Sequence, residues 1–482
     1  MPALFCGAVA LATHRQQHRV ADVKNRDSRR VHNPFHRMIP LAPMPAARTL
    51  LTCVLLFMAV RGPTVAREIH ATPETYRALI SRLQPGDRLI LAPGVYRHGL
   101  RLHGLDGTPE QPIAILGPGV GPPARFLARN GANTVSLRDA SYLLIESLEL
   151  DGLGRNADAV KAESESRYTH HIVLSRLRIS GHDADQAIVG ISIQSPAWDW
   201  TIRECMIVGA GTGMYLGRSN GTAGLVGGVI ERNVVRDTMG YNLQIKHQGR
   251  RPDVPGMPAA RRMIVVRHNV FSKQHGASTG PAARPNVLLG HFPASGVGVD
   301  DLHVVYGNVF YQNAEEPLLQ AEGNLAIYNN VFVNRHGSAI SIQPHNARPR
   351  QVAVFNNTVL ARDAGIAVRG AAPGHRPIVV GNLLFAGRPL VGGRYSGNLI
   401  HPLEKAERLL RAPYAEPPEL DVSPQADLRT RERLNLPAQL ADLPDAGLDL
   451  SGEDRWGFMG GAYTSSDRPK PIALDRPPSR RY

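Results

Sequence analysis

Residues 241–299 collect side chains suited to holding and acting on an anion. They carry Lys246, Arg250, Arg251, Arg261, Arg262, Arg267, Lys273 and Arg284, with His247, His268, His275 and His291, against one acid, Asp253. So many cations repel one another unless an anionic partner is expected. A lysine is normally protonated, and neighbouring cations lower its pKa by disfavouring the charged form. Lys246, set near Arg218, Arg250, Arg251 and several histidines, is therefore a chemically reasonable general base.

What must position these groups is a set of short strands: GISIQS, GMYLGR, YNLQIKH, NVLLGHF, LLQAEG, AISIQP and GIAVRG. Alternation turns Leu243 and Ile245 inward and predicts Asn242, Gln244 and Lys246 outward. Registering neighbouring strands on their inward aliphatics stacks Lys246 between Gly217 and Gly290, with Glu322, Gln343 and Arg369 further along. Arg218, His247 and His291 form the next column, and Tyr215 and Gln244 the preceding one. Glycines on either side of the lysine are expected to leave room beside it. The insertions QGRRPDVPGMPAARR and GASTGPAARP fall at these coils, as expected for walls of a groove.

The strands belong to a repeat. LLIESLEL, IVLSRLRI, TIRECMIV, VIERNVVR, VVRHNVFS, VVYGNVFY, AIYNNVFV, AVFNNTVL and IVVGNLLF align, with Ser147, Arg176, Cys205, Asn233, Asn269, Asn308, Asn330, Asn357 and Asn382 as their fifth residues. Short aliphatic strands repeating every 20 to 40 residues, with no helices between, indicate a β-solenoid of three strands per coil. Asn suits the sharp corners because it tolerates left-handed backbone angles, and stacked amides can bond in a ladder. Residues 73–83 read as a capping helix with Thr72 as N-cap. From His401 the repeat fades into a Pro-rich return leg, with Trp456 and Phe458 expected to cover the last coil.

Composition agrees with many short strands joined by turns: 47 Gly and only 6% aromatic residues in 482. The formal charge of +14 is uneven, since residues 1–66 hold nine Lys/Arg against two Asp/Glu, leaving 46 against 39 for the rest. Cys205 stands alone beyond the leader, so no disulfide forms within the body. From Met44 the sequence has Arg48, an apolar run of about a dozen residues and the small-residue ending Pro63-Thr-Val-Ala66, the layout of a signal peptide and too short to span a bilayer. Met44 is the expected functional start. The expected organisation is 1–66 as extension and signal peptide, 67–134 as cap and first coils, 135–400 as the solenoid, and 401–482 as return leg, cap and tail. A secreted or periplasmic monomer without stable membrane insertion follows.

Residues 67–400 resemble the right-handed parallel β-helix of pectate-lyase-like proteins, an all-β, single-stranded solenoid. The segments ETYRALISRLQPGDRLILAPGVYRHGLRL and GTPEQPIAILG are similar to the opening of the chondroitinase B and alginate lyase group of polysaccharide lyases. The resemblance implies cleavage of an acidic, uronate-containing polysaccharide by β-elimination. It implies Lys246, within QIKHQ, as base. The group's arginine acid lies one coil on, where VLLGHF carries no arginine and His291 is the nearest titratable group; the group's glutamate a few residues before the lysine is replaced by Tyr241 or Asn242 here. Lys246, His291 and His247 are thus the expected catalytic residues, and Arg218, Tyr215, Gln244, Asn242, Arg250, Arg251 and Arg267 the expected substrate-binding ones. Calcium is the cofactor the resemblance suggests, with Asp300, Asp301, Glu315 and Glu316 the acids that could hold it; the residues alone define no metal site. A binding protein without catalysis, and a hydrolase or epimerase on the same scaffold, stay open; hydrolysis needs paired carboxylates, and only Glu322 lies in line. Nucleic acid is not the expected anion, because stacking aromatics are not interleaved in the strip.

Overall fold

A computed structural model describes residues 66–425, 428, 443–455 and 460–463. The expected leader, with Met44, and the expected cap residues Trp456 and Phe458 lie outside the described residues.

Each coil has three faces, and all coil-to-coil pairing is parallel. The first face is a sheet of 13 strands, including Ala197–Arg203, Leu225–Glu231, Met263–Arg267 and Leu302–Tyr306. After a corner comes a second face, with Met206–Ala210, Val234–Arg236, Val270–Ser272 and Val309–Tyr311. A further turn leads to a third face, with Thr212–Leu216, Leu243–Ile245, Val287–Leu289, Leu319–Ala321 and Ile340–Ile342. Its inward columns stack Met214, Leu243, Val287, Leu319 and Ile340, and Leu216, Ile245, Leu289, Ala321 and Ile342. All ten are buried. Each large aliphatic among them contributes about 1.5–3 kcal/mol on burial.

The corner between first and second faces carries the asparagine ladder. The side-chain amide of Asn233 donates to Oδ1 of Asn269, and the pattern continues through Asn308, Asn330, Asn357, Asn382 and Asn398 at 2.9–3.0 Å. Each Oδ1 also accepts the backbone N–H of the preceding rung, and each Nδ2 reaches a carbonyl of the coil before. These asparagines do not hold the left-handed angle expected of them. That angle belongs to the residue before: Arg232, His268, Asn329 and Asn356 at φ 53–54°, and Gly307 and Gly381 at φ 67° and 66°. Ser147 and Arg176, aligned with the asparagines in sequence, occupy this left-handed position at φ 59° and 53°. Backbone pairing puts Leu177 and Cys205 in the ladder column instead. Cys205 donates its N–H to Asn233 Oδ1, so the ladder begins there.

The expected capping helix is shorter than its spacing suggests, covering Tyr76–Ile80 with Thr75 as N-cap. Thr72 lies in the turn before it, where its N–H bonds Thr75 Oγ1. At the other end, Leu410, Leu420, Val422 and Tyr463 pack over the outward side of the second face, on Val309, Val331, Leu360 and Leu383. Leu443 and Ala446 likewise cover Val304, Tyr306, Ala326 and Phe355 on the first. Among the described residues this C-terminal chain leaves the outward side of the third face free, and that is the face carrying Lys246.

Candidate functional site

Lys246 follows the strand Leu243–Ile245, and its N–H bonds Leu216 O. The same bond is made by Gly290 to Ile245, Glu322 to Leu289, Gln343 to Ala321 and Arg369 to Ile342. Gly217, Lys246, Gly290, Glu322, Gln343 and Arg369 therefore form one column along the molecule. A hollow of about 30 Å3 opens on it, lined by Lys246, His247, Gln320, Glu322, Gln343, His345 and Asn346, with Leu288 and Leu289 as apolar wall.

The two glycines beside Lys246 serve close backbone approach rather than leaving space. A Cβ on Gly290 would sit 2.2 Å from the backbone nitrogen of His247. Gly217, at φ 103°, would bring one to 3.2 Å from Lys246 Cβ. The Lys246 ammonium lies 5.7 Å from the centre of the Tyr215 ring, a cation–π contact. Partial burial lowers the Lys246 pKa, while the Glu322 carboxylate works in the opposite direction. Burial, rather than the arginines expected to act on it, is the cause.

Beside Lys246, the His247 and His291 rings stack at 5.3 Å. His291 donates Nδ1–H to Phe292 O at 2.8 Å, which leaves Nε2 as its free nitrogen. Burial, then His291 and Lys246, lower the His247 pKa and favour its neutral form. Glu322 is 2% exposed. Burial alone would raise its pKa, but backbone N–H groups of Ala347, Asn346 and His345 outweigh that and hold it below the ordinary range.

Three expected ligands of the polymer belong elsewhere. Asn242 is fully buried, its amide donating to Thr238 Oγ1 and Ser272 O at 3.1 Å, because the strand starts only at Leu243. Arg251 forms an ion pair with Asp301, with side chains 5% and 1% exposed, and donates to Pro258 O and Ala260 O, so it ties down the 247–262 loop. Arg267 lies on the first face, bonded to Glu231 and to the Tyr306 hydroxyl. Gln244 is buried at 4% exposure in the column beside Lys246. Arg218 reaches back over two coils to Gln194 O and Ser164 O at 3.2 and 2.6 Å. Arg250 is exposed. Lys273 lies outside the hollow, 2% exposed, with Nζ on Arg284 O.

A model of the right handed beta helix region matches residues 189–384. This is a right-handed parallel β-helix. No curated protein matches the sequence. Among solved structures, the β-helix is similar to a GH136 lacto-N-biosidase from Eubacterium ramulus, at 14% identity over 70% of this chain and 68% of that one, TM-score 0.47. It is also similar to an alginate lyase from Paenibacillus sp. str. FPU-7, at 15% identity over 70% and 96%, TM-score 0.34. A third is pectate lyase Pel9A, at 12% identity over 84% and 90%, TM-score 0.40.

The acids expected to hold calcium do not fit it. Asp301 is occupied by Arg251 and the Arg262 N–H, Asp300 Oδ1 by Gln351, Glu315 by the Gly280 N–H and Glu316 by Gln320. Among the described residues of the β-helix no group of three or more His, Cys, Asp or Glu could hold a metal. His170 and His171 sit on the first face with their Nδ1 atoms 2.8 Å apart, and His170 stacks on Trp198 at 4.2 Å. His345 and Asn346 were missed in the sequence. Their only signal is that HNARPR follows AISIQP, a strand of the third face.

Proposed function

We propose that this β-helix acts on an acidic, uronate-bearing polysaccharide, which it cleaves by β-elimination with Lys246 as base. The observation that carries the reading is a partly buried lysine with lowered pKa, held over a hollow on the face that, among the described residues, the C-terminal chain leaves free. In its neutral form the Lys246 amine takes the C5 proton. The C–H electron pair becomes the C4=C5 double bond, the C4–O4 bond breaks, and the departing oxygen takes a proton. His291 is the donor we assign: in its imidazolium form Nδ1–H stays on Phe292 O while Nε2–H gives its proton to the departing oxygen, leaving the neutral imidazole. His247 packs against it and fixes its plane. Tyr215, Arg218 and Arg250 are the remaining candidates for contacts with the polymer. Export through the leader fits such a substrate.

Hydrolysis is disfavoured by the state of Glu322. Three backbone N–H donors hold it ionised, unsuited to a general acid, and no second carboxylate lines the hollow among the described residues. The test is ultraviolet absorbance of the purified protein incubated with a panel of acidic polysaccharides, with and without calcium. New unsaturated uronate ends give a rising trace that Lys246→Ala abolishes. Salt-sensitive binding with a flat trace would replace catalysis by glycan binding.

A further inference from the structure

The hollow contains one carboxylate among its lining residues. Glu322 stands two coils along from Lys246, almost entirely withdrawn from solvent. Its Oε2 accepts the backbone N–H groups of His345, Asn346 and Ala347 at 3.1, 2.7 and 2.8 Å. Its Oε1 accepts the Asn346 side-chain amide at 3.3 Å. Charge-assisted bonds of this kind are about twice as strong as neutral ones. Here they fix three successive residues of a loop that enters the hollow, and the first, His345, is exposed there.

We propose that Glu322 is the positioning residue of the site, and that by clamping residues 345–347 it seats His345 where that imidazole contacts the substrate unit held at Lys246. The assignment rests on Lys246 marking the reacting position. Glu322 also has an electrostatic part, since its negative charge favours the protonated form of Lys246 and opposes the effect of burial.

The experiment uses the full chain and four variants: Glu322→Gln, Glu322→Asp, His345→Ala and Lys246→Ala. Amide hydrogen exchange over residues 343–349 reads the clamp directly and needs no substrate. Glu322→Gln and Glu322→Asp should each speed exchange at 345–347 about tenfold or more. In the absorbance assay, Glu322→Gln and His345→Ala should lower kcat/KM about 10- to 100-fold, the scale of losing charge-assisted bonds. The rising limb of kcat/KM against pH should move to lower pH in Glu322→Gln, because the anion that kept Lys246 protonated is gone. It should stay in place in Glu322→Asp and His345→Ala, which keep that charge. A limb unmoved in Glu322→Gln overturns the electrostatic part.

Unchanged exchange in both Glu322 variants overturns the clamp, and full activity of His345→Ala overturns the role of His345. Should Glu322→Gln fail to fold, Glu322→Asp still decides the clamp. Full activity of Lys246→Ala removes the base assignment alone, with the exchange data still deciding Glu322.

Discussion

Two corners of the same coil solve opposite problems. At the ladder corner, Asn233 to Asn398 satisfy one another so fully that the side chains have no bonds left for a ligand. At the Lys246 corner the column changes residue type from coil to coil, and His247 Nδ1 is buried without a hydrogen-bond partner. Repetition yields rigidity because identical amides can bond in series. Lack of repetition leaves donors and acceptors free for something else. Rigidity at one corner is what allows the other to hold unlike groups at fixed spacing, about 4.8 Å per coil.

Four substitutions test this contrast. Lys246→Ala should have the largest effect, a loss of about 10²–10⁴-fold in turnover by the absorbance assay, with melting temperature barely changed. A mutant that lost stability instead would make Lys246 a structural residue like those of the ladder. Arg251→Ala should do the reverse. It leaves Asp301 buried and unpaired, costing about 3–5 kcal/mol in denaturant unfolding. Activity measured well below the melting temperature should then fall less than in Lys246→Ala.

Asn308→Ala leaves the buried Asn269 backbone N–H without its acceptor and breaks the ladder bonds to Asn269 and Asn330, and should cost about 2–4 kcal/mol with kcat kept. Loss of kcat at full stability would mean that the corners are not separable. Lys273→Met is the smallest and isolates burial from chemistry. Lys273 is pushed down to about 8 by burial, against an ordinary 10.5. Between those values the unfolded chain binds the extra proton, so wild-type stability should rise with pH across pH 8 to 10.5. The rise, on the order of 1–3 kcal/mol, should be missing from Lys273→Met in parallel melts.

The repeat was legible in the sequence because inward aliphatics fix register, and a slip of one residue would expose every one of them. The same rule placed Lys246 in line with Gly217, Gly290, Glu322, Gln343 and Arg369. Where a residue lies outside a strand the rule gives no direction, and Asn242 and Arg251 turned out to be buried ties. Arg267 lies in a strand, but of a different face. Ser147 and Arg176 were aligned one position off because Leu, Cys and Asn all fit the ladder column once it is packed. His345 and Asn346 escaped notice because a loop's path back across a coil depends on what grips it, here Glu322.

Successive rungs of the ladder are 36, 39, 22, 27, 25 and 16 residues apart in the chain, yet every rung has the same bond length within 0.1 Å. A coil can thus lengthen or shorten at its far side without its neighbours registering the change. For such a molecule, new specificity needs no new scaffold. Segments such as 247–262 and 344–350 can be exchanged like tool heads on one handle, provided that Asp301 and Glu322 keep partners, and grafting experiments should start there.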